Sequence, residues 1–257
     1  MSAARPVKSN RRMVVAIVVM VLLWLGIILL RNEIRVRWWA YRLARSERPE
    51  AQTAWLARLL SLGETSLPAA EWLLEREDPA VRSFALPILH HLRSEESRAL
   101  LVEAAGDADG HLRGEAIRGL AFHGDQDTLA RIARTGEPVT ACRAVLGLAA
   151  IGSDQALEIL ADLAGAAVEG GRLAVRVEAL QVLGELEARR AVGVLTECLD
   201  DDTVFSGWTV AERDAAEALA EFDPRQRLAE PEPRTLGDFA ARALERIGAA
   251  AGGEPRP

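Results

Sequence analysis

At 257 residues with 49% hydrophobic content, the chain can bury one large core or two small ones, which excludes disorder throughout. Aromatic residues are scarce at 5% while alanine, leucine and arginine abound, which favours helices that meet through small residues over strands. The net charge of -7 is split along the chain: residues 1–50 hold ten basic and three acidic side chains, so residues 51–257 hold 21 and 35 and carry -14, which argues against nucleic acid and against a body lying on an anionic bilayer.

In chain order, a basic tail (1–12) with Arg5, Lys8, Arg11 and Arg12 leads into "MVVAIVVMVLLWLGIILL", residues 13–30, which no charge interrupts. At helical rise those eighteen residues cover about 27 Å, close to the hydrocarbon core of a bilayer, and predict a single transmembrane helix. A cleaved signal peptide would need a small-residue site after the apolar region, and "LLRNEIRVRWW" supplies none. A buried core helix is the third reading and is less favoured. Both flanks are basic, so orientation is open, with a slight lean to an N-terminus inside and the body outside the cytoplasm. Between Gly26 and Pro49 there is no glycine or proline, so the helix is expected to run on through residues 31–50. There Trp38, Trp39 and Tyr41 would pack on the first unit of the body and cap its open apolar end.

The body repeats itself. "VRSFALPILHHL" from Val81, "LRGEAIRGLAFHG" from Leu112, "TACRAVLGLAAIG" from Thr140 and "VRVEALQVLGELE" from Val175 superpose, and weaker copies start at Ala51 and Ala211. Four residues after each start come Trp55, Ala85, Ala116, Ala144, Ala179 and Ala215; eight after come Leu59, Leu89, Leu120, Leu148, Leu183 and Leu219. Eleven after come Leu62, Leu92, His123, Ile151, Leu186 and Phe222. Positions 0, 4, 8 and 11 form one helical stripe, followed by a polar break or a glycine such as Gly63, Gly124 or Gly152. A second apolar helix comes next, as in "SDQALEILADLA". Each unit reads as helix A, turn, helix B, and no pair can bury its apolar face without a neighbour.

The stretches "DPAVRSFAL", "DGHLRGEAI" and "VRVEAL" resemble HEAT repeats, in particular the bacterial phycobilin-lyase-like kind, over roughly residues 51–222. The resemblance implies an all-α solenoid of about six helical hairpins. It also implies that Asp78 and Asp109 cap helices, that Arg82 and Arg113 form a ladder between units, and that Pro87 kinks its A helix. The last connections lengthen at "GAAVEGGR" and "DDDTVFSGWT", and after a proline-rich stretch residues 223–249 end in a capping helix for which Thr235 and Asp238 make a cap; a frayed tail (250–257) follows. Phe205 and Trp208 are either an exposed anchor for a partner or rings folded back onto the core.

Chemistry is sparse. His90, His91 and His123 fall at turns of adjacent units and His111 at the other end, and the His-Glu dipeptides of HEAT-type iron hydroxylases do not occur, so no metal and no cofactor is expected. Cys142 and Cys198 lie 56 residues apart and read as buried thiols. Acidic runs such as Glu95–Glu96 and Asp200–Asp202 read as solvated turns. The expected function is therefore a non-catalytic, membrane-anchored scaffold for protein partners near a membrane, presenting a concave face of B helices with Arg98, Arg131, Arg134, Arg189 and Arg190 as candidate contacts. Attachment of a chromophore or cofactor in the manner of a phycobilin lyase is the alternative, and a HEAT-like DNA glycosylase a remote third that the acidic body disfavours.

Overall fold

The computed structural model describes residues 11–165, 172–205 and 234–252; the side chains of 11–14, 22, 23, 25–30, 234 and 249–252 fall outside the described set. The backbone begins with one helix, α1 (Arg11–Ala44), uninterrupted as the lack of glycine and proline after Gly26 predicts. Among the described residues no helix is long and apolar enough to cross a membrane, and the span expected over 13–30 lies partly outside them.

The body follows as paired helices: α2 (Pro49–Leu60), a 3-10 turn and α3 (Leu67–Leu74); α4 (Pro79–Ser83), α5 (Ala85–His91) and α6 (Glu95–Ala104); α7 (Gly110–His123) and α8 (Gln126–Thr135). Next come α9 (Pro138–Ile151) and α10 (Asp154–Gly165), then α11 (Leu173–Glu185), a 3-10 turn (Arg189–Ala191) and α12 (Val192–Glu197). Two-residue strands β1 (Val204–Phe205) and β2 (Arg234–Thr235) pair antiparallel before α13 (Leu236–Gly252). The A helices α2, α5, α7, α9 and α11 touch in succession, and each B helix also packs on the next A helix. One apolar core runs unbroken from Val36 in α1 to Ile247 in α13, so the chain is an α-helical solenoid.

The stripe explains the stacking. Position 4 is buried at Ala85, Ala116, Ala144 and Ala179, and position 8 at Leu59, Leu89, Leu120, Leu148 and Leu183. Trp55 occupies position 4 of the first unit because its outer neighbour is α1 and not another A helix, which removes the demand for a small side chain. Leu186 departs from the stripe and is 41% exposed, just past the end of α11 at Glu185. The sixth unit expected from Ala211 lies outside the described residues; α13 docks on α11 and α12.

Local signals act where the sequence puts them. Asp78 accepts from the Ala80 N–H and Asp109 from the Leu112 N–H, capping α4 and α7. Pro87 cannot donate to the Ser83 carbonyl, and the A helix breaks at Phe84 into α4 and α5. Thr235 and Asp238 exchange reciprocal bonds of 3.0 and 3.1 Å at the start of α13, the expected capping box. The β pair is an addition to the all-α expectation.

Candidate interaction surface

An arginine in successive A helices ties each unit to the one before it. Arg82 donates to the carbonyls of Arg76 and Glu77 and pairs with Asp107 at 3.0 Å, although its Nε finds no partner. Arg113 donates to the carbonyls of Asp107 and Ala108 and lies 3.9 Å from Glu137. Arg176 donates to the Ala164 carbonyl at 2.9 Å, to Cys198 Sγ at 3.8 Å, and pairs with Asp201 at 2.9 Å. Each guanidinium thus bonds carbonyl oxygen at or just past the end of the preceding B helix and a carboxylate further on, the ladder that the resemblance implies. α9 has Ala141 at that position and a buried arginine, Arg143, two positions later; a Cβ added at Gly114 would fall 1.6 Å from its Nη1, so that glycine makes room for the guanidinium. Asp201, read from the sequence as part of a solvated run, is the ladder's last carboxylate. Hydrogen bonding from Thr203, and then Arg176, holds its pKa below the usual carboxylate range.

The five candidate arginines of the B row do not behave alike. Arg98 is half-buried and already bonded to Glu95 and, at 3.8 Å, to Asp125, the N-cap of α8. Arg190 reaches Asp154 at the start of α10, 2.7 Å away. Arg131, Arg134 and Arg189 are exposed and form no ion pair among the described residues. Phe205 is 5% exposed and packs in the core, so it is not an exposed anchor; Trp208 lies outside the described residues.

The N-terminal end holds a surface that sequence reasoning saw only in part. Val36, Ala40 and Leu43, at helical spacing, are buried against α2 and α3, and Trp39 packs on the core, which caps the stack as expected. Trp38 and Tyr41 remain 50% and 41% exposed and meet Trp55 and Trp72 edge to face at 5.8 and 6.4 Å. Guanidinium groups cover these rings: Arg42 over Trp38 and Trp55, Arg58 over Trp55 at 4.4 Å, Arg45 over Tyr41, and Arg76 over Trp72 at 4.2 Å. Beside them lies a cavity of about 490 Å³ walled by Tyr41, Arg42, Arg45, Glu47, Arg48 and Trp55. The surplus of arginine in residues 31–50 was the available signal, but the folding back of the 45–48 loop was not readable.

The titratable groups serve packing. His90 Nε2 donates to the Glu115 carbonyl and His123 Nε2 bonds the Leu89 carbonyl, which stitches α5 to α7. Burial pushes the His90 pKa down to about 4, with Arg118 and His123 adding to the effect. In α11 burial pushes Glu178 up to about 7, helped by Glu185. Cys142 and Cys198 are buried and are not joined in a disulfide. No three His, Cys, Asp or Glu side chains gather as a metal site among the described residues.

The family model for HEAT repeats matches residues 66–135, and that for the PBS lyase HEAT-like repeat matches residues 175–201. No curated protein matches. Among solved structures, human deoxyhypusine hydroxylase in complex with glycerol is similar at 15% identity, covering 87% of this chain and 99% of that one, with a TM-score of 0.35. A crystallised engineered protein is similar at 17% identity, 84% and 97% coverage, and a TM-score of 0.35. Likenesses at that level carry no argument about this chain.

Proposed function

We propose that this HEAT-repeat chain is a membrane-anchored, non-catalytic scaffold that holds partner proteins on its row of B helices. The anchor reading rests on an exposed apolar flank. Val15, Ile17, Val18, Val19, Met20, Val21 and Trp24 are each 48–68% exposed on α1, and among the described side chains of that helix the first buried one is Val36. So much apolar surface all round a helix calls for a cover, and a bilayer fits eighteen uncharged residues bracketed by Arg12 and Arg31. The scaffold reading is supported by the ladder and the histidines, whose chemistry is spent on stacking, and by Arg131, Arg134 and Arg189, which stand exposed and unpaired among the described residues in an acidic body. Tethering would raise the local concentration of that surface near other membrane proteins.

Cross-linking in intact membranes, followed by mass spectrometry, tests both parts. The wild-type chain should stay in the membrane pellet after an alkaline carbonate wash and give defined protein neighbours. Arg131→Glu, Arg134→Glu and Arg189→Glu together should lose at least one of them. A chain that washes free sinks the anchor, and an unchanged set of neighbours sinks the B-row surface. A C-terminal alkaline phosphatase fusion, active if the body is exported, fixes the orientation. The match to the PBS lyase HEAT-like repeat favours a second reading, attachment of a chromophore, and a new absorbance band on incubation with a bilin would support it.

A further inference from the structure

We propose that the cavity between the end of α1 and the start of α2 binds a phosphate ester of sugar-phosphate size. Three guanidinium groups converge on it, from Arg42, Arg45 and Arg48, against the single carboxylate of Glu47. Among the described residues none of the three forms an ion pair with a carboxylate, a property they share with Arg131, Arg134 and Arg189, which do not line the cavity. An unneutralised cluster of like charge in an otherwise acidic chain is held together at some electrostatic cost, which a dianion placed among the three would remove. The three arginines are exposed, and ring contacts and a loop hydrogen bond restrain the segment that carries them. Arg42 lies between Trp38 and Trp55 at 5.6 Å from each ring, Arg45 lies 5.2 Å over Tyr41, and Gln52 Nε2 fastens the loop by donating to the Ser46 carbonyl at 2.7 Å. Contact with the rings restrains two of the guanidinium groups, whose N–H groups can address phosphate oxygens.

The cleft is open to solvent and, at about 490 Å³, has room beside a phosphate for a short polyol, whose hydroxyls would face Ser46 and Glu47. The phosphate could come from a soluble ester or from a lipid headgroup. Position favours the soluble source: Arg42 stands twelve residues past Leu30, roughly 18 Å along an upright helix, while the headgroup layer is only about 5–7 Å deep on each side. The site depends on the cap alone and stands even if the B-row surface fails.

The test uses the full chain in nanodiscs of phosphatidylcholine, with intrinsic tryptophan fluorescence as readout because Trp55 walls the cavity. Titration with glycerol 3-phosphate should shift the emission saturably and in a salt-sensitive way. Arg48→Glu should weaken that binding at least about tenfold, the usual worth of a charge-assisted contact turned repulsive. Arg48 stacks on no ring, so the variant should keep the wild-type melting curve and circular dichroism, and Arg131→Glu should bind as wild type. A second arm replaces part of the lipid with phosphatidylglycerol and omits the soluble ester. A shift only in that arm, abolished by Arg48→Glu, assigns the phosphate to a headgroup. No shift in either arm, or a shift that Arg48→Glu leaves intact, overturns the proposal.

Discussion

Glu187 holds φ at 51°, in the left-handed region that costs a side-chain-bearing residue roughly 1–2 kcal/mol. The same place in the repeat, twelve residues after the unit start, is Gly63, Gly124 and Gly152 in sister units, all at positive φ. Glu187→Gly should therefore raise stability by about 0.5–1 kcal/mol net of the extra freedom it gives the unfolded chain, read as a higher urea midpoint. A lower midpoint would mean that the Glu187 side chain contributes something its backbone does not show. The ladder offers the opposite case. Arg176→Met keeps the length of the side chain but strands the Asp201 carboxylate and the Ala164 carbonyl, and should cost about 2–4 kcal/mol. Arg190→Met, at a pair more than 60% exposed on both sides, should cost under about 1 kcal/mol. Equal losses in the two variants would show that the ladder is no different from any surface pair.

The docking of α13 on α11 depends on Gly184. A Cβ there would lie 2.7 Å from Ala243 Cα and 2.9 Å from Ala243 Cβ, backbone against backbone, so α13 must move if anything larger is present. Gly184→Ala should cost about 1–3 kcal/mol and make α13 the first part cut by limited proteolysis; an unchanged digest would place the stability of that end elsewhere. At this scale the sequence was informative wherever a signal is local. Asp109, Pro87 and the Thr235–Asp238 pair each act through residues two to four positions away, so spacing alone locates the cap, the break and the capping box. The contact of β1 with β2 joins residues some thirty positions apart and is pinned by the Leu236 N–H on the Thr203 carbonyl and the Gly237 N–H on the Asp201 carbonyl, none of which has a periodic signature. The same holds for the phosphate-sized cavity. Its rings and arginines were visible as composition, but its shape arises from where α1 stops at Ala44 and how residues 45–48 turn back to α2.

Over the whole molecule, two buried groups of opposite kind make stability respond to pH in opposite directions at different places. His90, whose pKa falls from 6.5 to about 4 on folding, binds fewer protons in the folded state, so its contribution is intact above pH 6.5 and is lost as pH falls towards 4. Glu178, whose pKa rises from 4.5 to about 7, keeps a proton that the unfolded chain gives up, so its contribution is intact below pH 4.5 and is lost as pH rises through 7. Between pH 4.5 and 6.5 the slopes oppose each other, each at most about 1.4 kcal/mol per pH unit, and Asp201 titrates below that window. If the stack unfolds as one, wild-type stability should be nearly flat across the window, and Glu178→Gln should uncover a rise with pH. Identical profiles for the two proteins would remove Glu178 from the account. His90 stitches α5 to α7 whereas Glu178 lies in α11, and a solenoid whose units touch only their neighbours can open at one end alone. Amide exchange then discriminates: acid should loosen α5 and α7 first, and neutral pH should loosen α11 and α13. Protection lost at the same pH in both places would make the stack a single cooperative unit.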